Sequence, residues 1–435
     1  MSASAPGTGG GALTGVLVLT PDIAGDRGTR PPEARLAEAM ALADALPTTR
    51  LAGGEILRID RPRPGTILGS GKMAEIGARL AAEEIGLVVI DGPVSPVQQR
   101  NLERDWQVKV LDRRGLILEI FATRARTREG ELQVELAALT YQRTRLVRAW
   151  THLERQRGGL GFVGGPGETQ IEADRRALDD QIIRLRRRLR TVRKTRDLHR
   201  SARAQAREPV IALVGYTNAG KSTLFNRLTG AGVASEDQLF ATLDPTMRAI
   251  ELPELGGAIL SDTVGFIADL PHELVAAFRA TLEEVRAADL IVHVRDIAHP
   301  ETASQAQDVA EVLEELGVDS AVPVIEAWNK IDTLDPEARE AALAAAARRR
   351  GAGAISAATG EGIDALKAAI GAQLTATRRS AALTLGHDEG RARAWLHERR
   401  LVTGERAGED GLHLDVRWSP AEAARFAHSF GRRDG

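Results

Sequence analysis

The sequence predicts an α/β fold in several parts: an N-terminal α/β subdomain, an antiparallel helical hairpin of coiled-coil type, a second and larger α/β domain, and a small α+β subdomain at the end. Three observations predict it. Strand-like and helix-like runs alternate over residues 14–123, leucines keep a heptad rhythm on both sides of a glycine run near residue 160, and the alternation resumes at residue 208. With 435 residues, 43% hydrophobic and 27% charged, the chain is long enough for several cores and has an ordinary globular composition. It contains no cysteine, which excludes disulfides and thiolate chemistry. The start, MSASAPGTGGGALTG, lacks the basic and apolar pattern of a signal peptide, and no apolar run reaches the length of a membrane span. A cytoplasmic chain without a membrane span is expected. The formal net charge of -2 is an average that conceals one strongly basic segment.

Residues 1–13 read as a disordered tail. TGVLVLT then predicts a strand, and PPEARLAEAMALADAL a helix behind a proline start. LAGGEILRID, the helix-like MAEIGARLAAEEIG, the apolar LVVIDG, the helix-like SPVQQRNLERDW and VKVLDR follow. That order predicts a small unit with a mainly parallel sheet over 14–123. Within it, Gly69-Ser70-Gly71-Lys72 has phosphate-loop composition, but Thr66 and Met73 break the required register, so a turn is expected.

Over 124–207 the period changes. Leu132, Leu136, Leu139, Leu146, Trp150 and Leu153 keep a four-three spacing breached by Arg143, and Ile171, Leu178, Ile182, Leu185, Leu189 and Val192 repeat it. Two heptad helices joined by a loop form an antiparallel hairpin. Its tip, GGLGFVGGPGETQ, has no preceding strand and no following Lys-Ser, so it does not read as a nucleotide loop. Thr169 and Glu172 are spaced as a capping box that satisfies the start of the second helix, and Glu168 adds negative charge where an anion would sit. Leu160, Phe162 and Val163, carried among Gly158, Gly159, Gly161, Gly164 and Gly165, are expected instead to form a probe that packs on unstacked RNA bases; a plain turn would need fewer glycines. The second arm runs RLRRRLRTVRKTRDLHRSARAQAR with Asp197 its only acid. Within that run acids that would pair such a face at helical spacing are missing, which favours polyanion contact over a solvated face for Arg184, Arg186, Arg187, Arg188 and Arg190.

At residue 208 the composition turns to PVIALVGY, opening the second α/β domain over 208–374. Gly215, Tyr216, Thr217, Asn218, Ala219, Gly220, Lys221 and Ser222 fit G-x-x-x-x-G-K-[ST] between the strand VIALV and a helix-like run opening with Ser222 and Thr223. Backbone N–H groups there can reach the α- and β-phosphates, Lys221 can neutralise the β and γ oxygens, and the Ser222 hydroxyl suits Mg²⁺. Asp262, Thr263, Val264 and Gly265 follow the strand AILS, so that Asp262 can hold Mg²⁺ through water and the Gly265 N–H can sense a γ-phosphate. Between these motifs, Phe240, Ala241, Thr242, Leu243 and Asp244 form a mobile segment in which Thr242 is the candidate second Mg²⁺ ligand. Asn329, Lys330, Ile331 and Asp332 make an N-K-x-D guanine reader, in which Asp332 accepts from the ring N–H and amino group while adenine would present the opposite pattern. Ser356, Ala357 and Ala358 can supply an N–H to the guanine oxygen. Turn glycines or capping acids would explain each motif singly. They do not explain the ordered set, which predicts a Ras-like P-loop G domain binding GTP and GDP with Mg²⁺.

On GYTNAGKSTLFNRLTG, DQLFATLDPT, DTVGFI, NKID and LVRAWTHLERQRGGLGFVGGPGETQIEADRR, the chain resembles the HflX GTPases of the Obg-HflX group, from about the first strand to about residue 374. The resemblance implies a GTP-hydrolysing factor that binds the large ribosomal subunit near the peptidyl transferase centre and splits or rescues ribosomes under stress. An RNA-binding chaperone or assembly factor whose GTPase times its release is the alternative, and a protein-binding switch a third. A monomer is expected. Residues 375–435 carry LHLDVRWS and PAEAARFAHSF but no motif, and their role stays open.

Phe266 stands where many small GTPases place a water-orienting Gln. Slow basal turnover stimulated by the ribosome is therefore expected. Lys221, Thr242 and Gly265 are the candidate catalytic groups. The Asn218 side chain resembles the asparagine that holds K⁺ in cation-activated GTPases, and a K⁺ site and a plain polar residue both stay open. His293 and Arg295 share a face of the strand LIVHVRD and read as structural or surface residues, while His272 is the better candidate for a role in the segment after Gly265. No metal-site spacing of His, Cys or Asp occurs, leaving Mg²⁺ as the expected divalent metal.

Overall fold

An uninterrupted apolar run such as Val16 to Leu19, all of it buried, suits a parallel strand covered on both faces. In the computed structural model this run lies in β1 (Thr14–Ile23). The structure describes residues 13–25, 30–156, 166–204, 208–230, 240, 246–253, 255–263, 265–267, 284–319, 321–376, 379–386, 388–399, 401–408, 411–418 and 420–430. It divides into two units: Met1–Arg196 with Ala234–Pro245 and Val264–Leu282, and Asp197–Val233 with Thr246–Thr263 and Glu283–Gly435.

The first unit alternates β1, α1 (Pro32–Asp44), β2 (Thr49–Ile59), α2 (Ser70–Ala82), β3 (Ile85–Ile90), α3 (Pro96–Trp106), β4 (Lys109–Asp112) and α4 (Arg113–Arg124). Its sheet has the order β2-β1-β3-β4 with every pairing parallel, as expected. Leu17, Leu19, Val88, Leu102 and Val110 fill its core. Helix α3 opens with Ser95 and Gln98 in a reciprocal capping box ahead of Pro96. The expected turn at Gly69 to Lys72 is instead a helix start: Gly69 takes the cap position, and Lys72 in the first turn pairs with Glu55 and Glu75.

The hairpin is α5 (Arg128–Gln156) and α6 (Pro166–Ala204). Leu132, Leu185 and Leu189 are buried together with Leu136, Leu139 and Val192 against them, so the two heptad stripes meet. Arg143, the polar breach, is answered across the seam by Asp179 at 3.1 Å. The capping box expected at Thr169 is a correction, because α6 already begins at Pro166. Proline has its φ set for a helix and no N–H to satisfy, so the helix starts three residues early and Glu172 pairs forward with Arg176 at 3.2 Å. The glycine tip, with Gly158, Gly159, Leu160, Gly161, Phe162, Val163, Gly164 and Gly165, lies outside the described residues. Midway along its length α5 is docked by a largely buried polar joint. Asp112 accepts from the Tyr141 hydroxyl at 2.7 Å and from Arg145 at 3.3 Å, while also capping α4 through the Gly115 N–H. Burial, with the Asp112 charge beside it, holds the Tyr141 hydroxyl well above the usual phenol range.

In the second unit, β5 (Val210–Gly215), α7 (Lys221–Thr229), β6 (Thr246–Leu252), β7 (Gly256–Asp262), β8 (Leu290–Asp296), α8 (Thr302–Glu315), β9 (Val324–Asn329), α9 (Pro336–Arg348), β10 (Ala352–Ala354) and α10 (Ile363–Ala376) make a Ras-like domain. The sheet order is β10-β9-β8-β5-β7-β6, with β6 its antiparallel edge. Beyond it, β11 (Arg379–Leu385), α11 (Gly390–Glu398), β12 (Val402–Gly408), β13 (Gly411–Trp418) and α12 (Pro420–Phe430) form the expected α+β subdomain, an antiparallel β11-β13-β12 sheet. It has a core of its own around Leu396, Leu414, Val416, Trp418 and Phe426. No helix among the described residues is long and apolar enough to cross a membrane.

Candidate nucleotide site

The central strand β5 ends at Gly215 and α7 begins at Lys221, so the loop between them lies at the carboxyl edge of the sheet, where α/β folds place ligands. Two of its glycines are required by space. A Cβ on Gly215 would run into the Val294 carbonyl, and one on Gly220, whose φ is +89°, into the Asn329 amide. Asn218 takes a left-handed φ of 59° between them. Lys221 is buried and donates to the Tyr216 carbonyl at 2.8 Å. Burial pulls its ammonium from 10.5 down to about 8, against the opposing pull of the Asp262 charge. The Ser222 hydroxyl donates to Asp262 Oδ2 at 2.8 Å, and Thr263 donates from its hydroxyl to the Leu213 carbonyl at 2.6 Å. A hydroxyl and a carboxylate side by side at a helix N-terminus are the oxygen donors that Mg²⁺ prefers, so the residues fit that ion.

The Asn329 side chain joins three motifs. Its Nδ2 donates to the Ala219 carbonyl at 2.8 Å, and its Oδ1 accepts from the Ala357 N–H at 2.9 Å. Lys330, at φ 67°, pairs with Asp296 at 2.8 Å, while Ile331 is buried and Asp332 exposed. Ser356 is buried and its hydroxyl accepts from the Thr359 N–H at 3.0 Å. Arg227 of α7 donates to the Ala357 carbonyl at 3.2 Å and also to that of Ala358. Arg227 and Asp296 escaped the sequence reading. Parallel register sets Asp296 beside Asn329, a neighbour that only the strand order reveals.

The other expected residues fall in the first unit, in β8 or outside the described residues. Phe240 falls in the first unit, where its ring is buried against Phe121 of α4. Gly265 and the buried Phe266 also fall there. Ala241, Thr242, Leu243, Asp244, Val264 and His272 lie outside the described residues. His293 is buried in β8, which pulls its imidazole from 6.5 down to about 4, and Arg295 pairs with Glu326 at 2.7 Å. Of the structural and surface roles open to them, both positions fit the structural one. Among the described residues no group of His, Cys, Asp and Glu could hold a metal by itself.

Comparison with known proteins matches four consecutive family patterns. They are described as GTP-binding GTPase N-terminal over residues 33–122, GTP-binding GTPase Middle Region over 124–203, 50S ribosome-binding GTPase over 210–330 and HflX C-terminal domain over 341–435. GTPase HflX of Magnetococcus marinus is 49% identical over 372 residues, covering 86% of this chain and 85% of that protein. The chain belongs to the HflX family of GTPases. GTPase HflX of Escherichia coli is 46% identical over 372 residues, covering 84% of this chain and 87% of its own. A GTP-binding protein from Sulfolobus solfataricus solved in complex with GDP is 24% identical, with a TM-score of 0.46 over 83% of this chain and 98% of that one. The chain is thus a GTP-hydrolysing enzyme with a ribosome-binding GTPase domain, of a family that uses Mg²⁺ with its nucleotide. The C-terminal match also corrects the expectation that the resemblance ends near residue 374, since it runs to residue 435.

Proposed function

We propose that GTP gates binding of this chain, as a cytoplasmic monomer, to the large ribosomal subunit near the peptidyl transferase centre, and that it splits or rescues ribosomes under stress. What supports the reading is one face of α6. Ile182, Leu185 and Leu189 are buried, while Arg184, Arg186, Arg187, Arg188 and Arg190 between and beside them are all exposed. A row of unpaired guanidinium groups on a stiff arm suits rRNA phosphates, and their joint release of counterions makes binding steeply salt-dependent. The glycine tip with Leu160 and Phe162 is the element that enters the RNA crevice.

In the G domain, Lys221 neutralises the transferring phosphoryl group, the Gly215 to Ser222 backbone cradles the other phosphates, and the Gly265 N–H meets the γ oxygen. Ser222 and Thr242 would hold Mg²⁺, with Asp262 beside Ser222 as a further oxygen donor, and the ion would supply charge neutralisation to the phosphates. Asp332 reads guanine, Asn329 fixes the loops around it, and Ala357 and Ala358 offer N–H groups to its oxygen. Phe266 cannot orient water, so basal turnover is slow and the ribosome supplies the missing contribution. Asn218 offers an oxygen to K⁺, which would replace part of an arginine's charge.

Sucrose-gradient sedimentation with ribosomes in GTP, GDP and a non-hydrolysable GTP analogue tests the reading. Comigration with large subunits only in the triphosphate states, with loss of intact ribosomes, is expected. Failure to bind any ribosomal particle overturns it, and accumulation on precursor subunits alone would turn the chain into an assembly factor.

A further inference from the structure

Arg227 stands in the last turn of α7, the helix that Lys221 opens at the P-loop. Its guanidinium reaches the loop after β10 with two teeth: Nε donates to the Ala357 carbonyl at 3.2 Å and Nη2 to the Ala358 carbonyl. A planar fork can hold two successive carbonyls at once, which a lysine ammonium does less well. Most N–H groups of the loop are already used. The Ser356 N–H donates to the Glu361 carbonyl at 3.0 Å, the Gly360 N–H to the Ser356 carbonyl at 2.8 Å, and the Thr359 N–H to the Ser356 hydroxyl at 3.0 Å. The Ala357 N–H donates to Asn329 Oδ1 at 2.9 Å. Among the described residues the Ala358 N–H has no partner, and Ala358 is exposed. No cis peptide bond occurs there, so the Ala357 carbonyl and the Ala358 N–H point to opposite sides of one flat unit. A guanidinium that fixes this carbonyl therefore fixes the direction of that N–H, away from Arg227. Arg227 itself is exposed, so its removal opens no hole in the core.

We propose that Arg227 is a positioning residue for guanine recognition: by gripping two successive carbonyls it aims the Ala358 N–H at the carbonyl oxygen of the base. The proposal rests on the reading of Asn329, Asp332 and the 356–358 loop as the guanine site. The two halves of that site divide the base between them. Asp332 accepts from the ring N–H and the amino group, whereas the Ala358 N–H donates to the oxygen and rejects a base with an amino group in its place. Loss of Arg227 thus weakens one half of the recognition and leaves the other.

The test compares wild type, Arg227→Ala, Arg227→Met and Arg227→Lys in the full chain, by competition of three ligands against fluorescent GDP. GDP carries both recognition groups. Thioguanosine diphosphate has a weakly accepting sulfur in place of the carbonyl oxygen, and inosine diphosphate keeps the oxygen but lacks the amino group. Wild type is expected to prefer GDP to both. In Arg227→Ala, GDP should bind up to about tenfold more weakly, its preference over thioguanosine diphosphate should shrink by a similar factor, and its preference over inosine diphosphate should stay. Steady-state GTP hydrolysis should show a raised KM with kcat within about twofold, the mark of binding lost equally in ground and transition states. Arg227→Lys should recover part of the preference. Should alanine unfold the domain, Arg227→Met, which keeps the stem and removes both donors, carries the test. Equal weakening of all three ligands, the result of a merely looser loop, would overturn the proposal, as would an unchanged preference for GDP over thioguanosine diphosphate; wild-type selectivity would leave the guanine reading standing. Equal binding of the three ligands by wild type would remove that reading and the proposal together.

Discussion

Asn329→Ala removes one side chain that bridges two otherwise separate loops. The amide is 2% exposed and makes two buried hydrogen bonds, to the Ala219 carbonyl at 2.8 Å and from the Ala357 N–H at 2.9 Å. Alanine leaves both backbone groups without this partner. At about 1–3 kcal/mol for each buried group left unsatisfied, the loss from the second unit is about 2–6 kcal/mol. At roughly 2–4 °C per kcal/mol for a domain of this size, even the lower bound moves its melting by about 4–8 °C. Differential scanning calorimetry of the nucleotide-free protein reads that shift, and a fluorescent GDP titration reads the second consequence, a weaker complex, because the P-loop and the 356–358 loop are no longer tied. Asn329→Asp should not rescue, since a carboxylate has no N–H for the Ala219 carbonyl. A melting temperature within a degree of wild type, with unchanged GDP affinity, would refute the bridge.

His293→Gln should flatten the acid limb of stability. Its imidazole falls from 6.5 to about 4 on folding, so the unfolded chain binds the proton first, and stability complete above pH 6.5 is lost as pH drops towards 4. The shift corresponds to something on the order of 3 kcal/mol, and urea midpoints at pH 7 and pH 4.5 should differ less in the variant than in wild type. Tyr141→Phe deletes the hydroxyl shared by Asp112 and Arg145 and should cost about 1–3 kcal/mol of the first unit's stability; an unchanged thermal melt would show that the joint does not hold α5. Ribosome-stimulated turnover should be faster in K⁺ than in Na⁺ and lose that preference in Asn218→Ala, whereas equal rates in the two salts would exclude the ion from Asn218.

The G motifs were legible because each demands fixed residue types in a fixed local setting: Gly220 has no room for a Cβ, and Lys221 must open a helix after a strand. The heptad stripes were equally plain, and the structure pairs Leu132 with Leu185 and Leu189 as the rhythm requires. What escaped was of two kinds. Local signals competed at Pro166, where the fixed φ of proline began a helix ahead of the Thr169 capping box, and at Gly69, where a glycine became the cap of α2. The other misses are long-range. Arg227 meets a carbonyl 130 residues away, and Phe240 meets Phe121 across the whole hairpin and the first part of the G domain. No periodicity or spacing encodes such pairs, which exist only once the strands have been ordered.

The central claim, that GTP turnover is coupled to the large ribosomal subunit through the basic arm, is tested most directly by GTP hydrolysis titrated with purified large subunits. Wild-type protein and a variant with Arg184, Arg186, Arg187, Arg188 and Arg190 changed to Glu would be compared. The expected result is a low basal rate in both, a saturable stimulation in wild type that weakens as salt is raised, and none in the variant. Equal stimulation of the two, or none of wild type by any ribosomal particle, would contradict it.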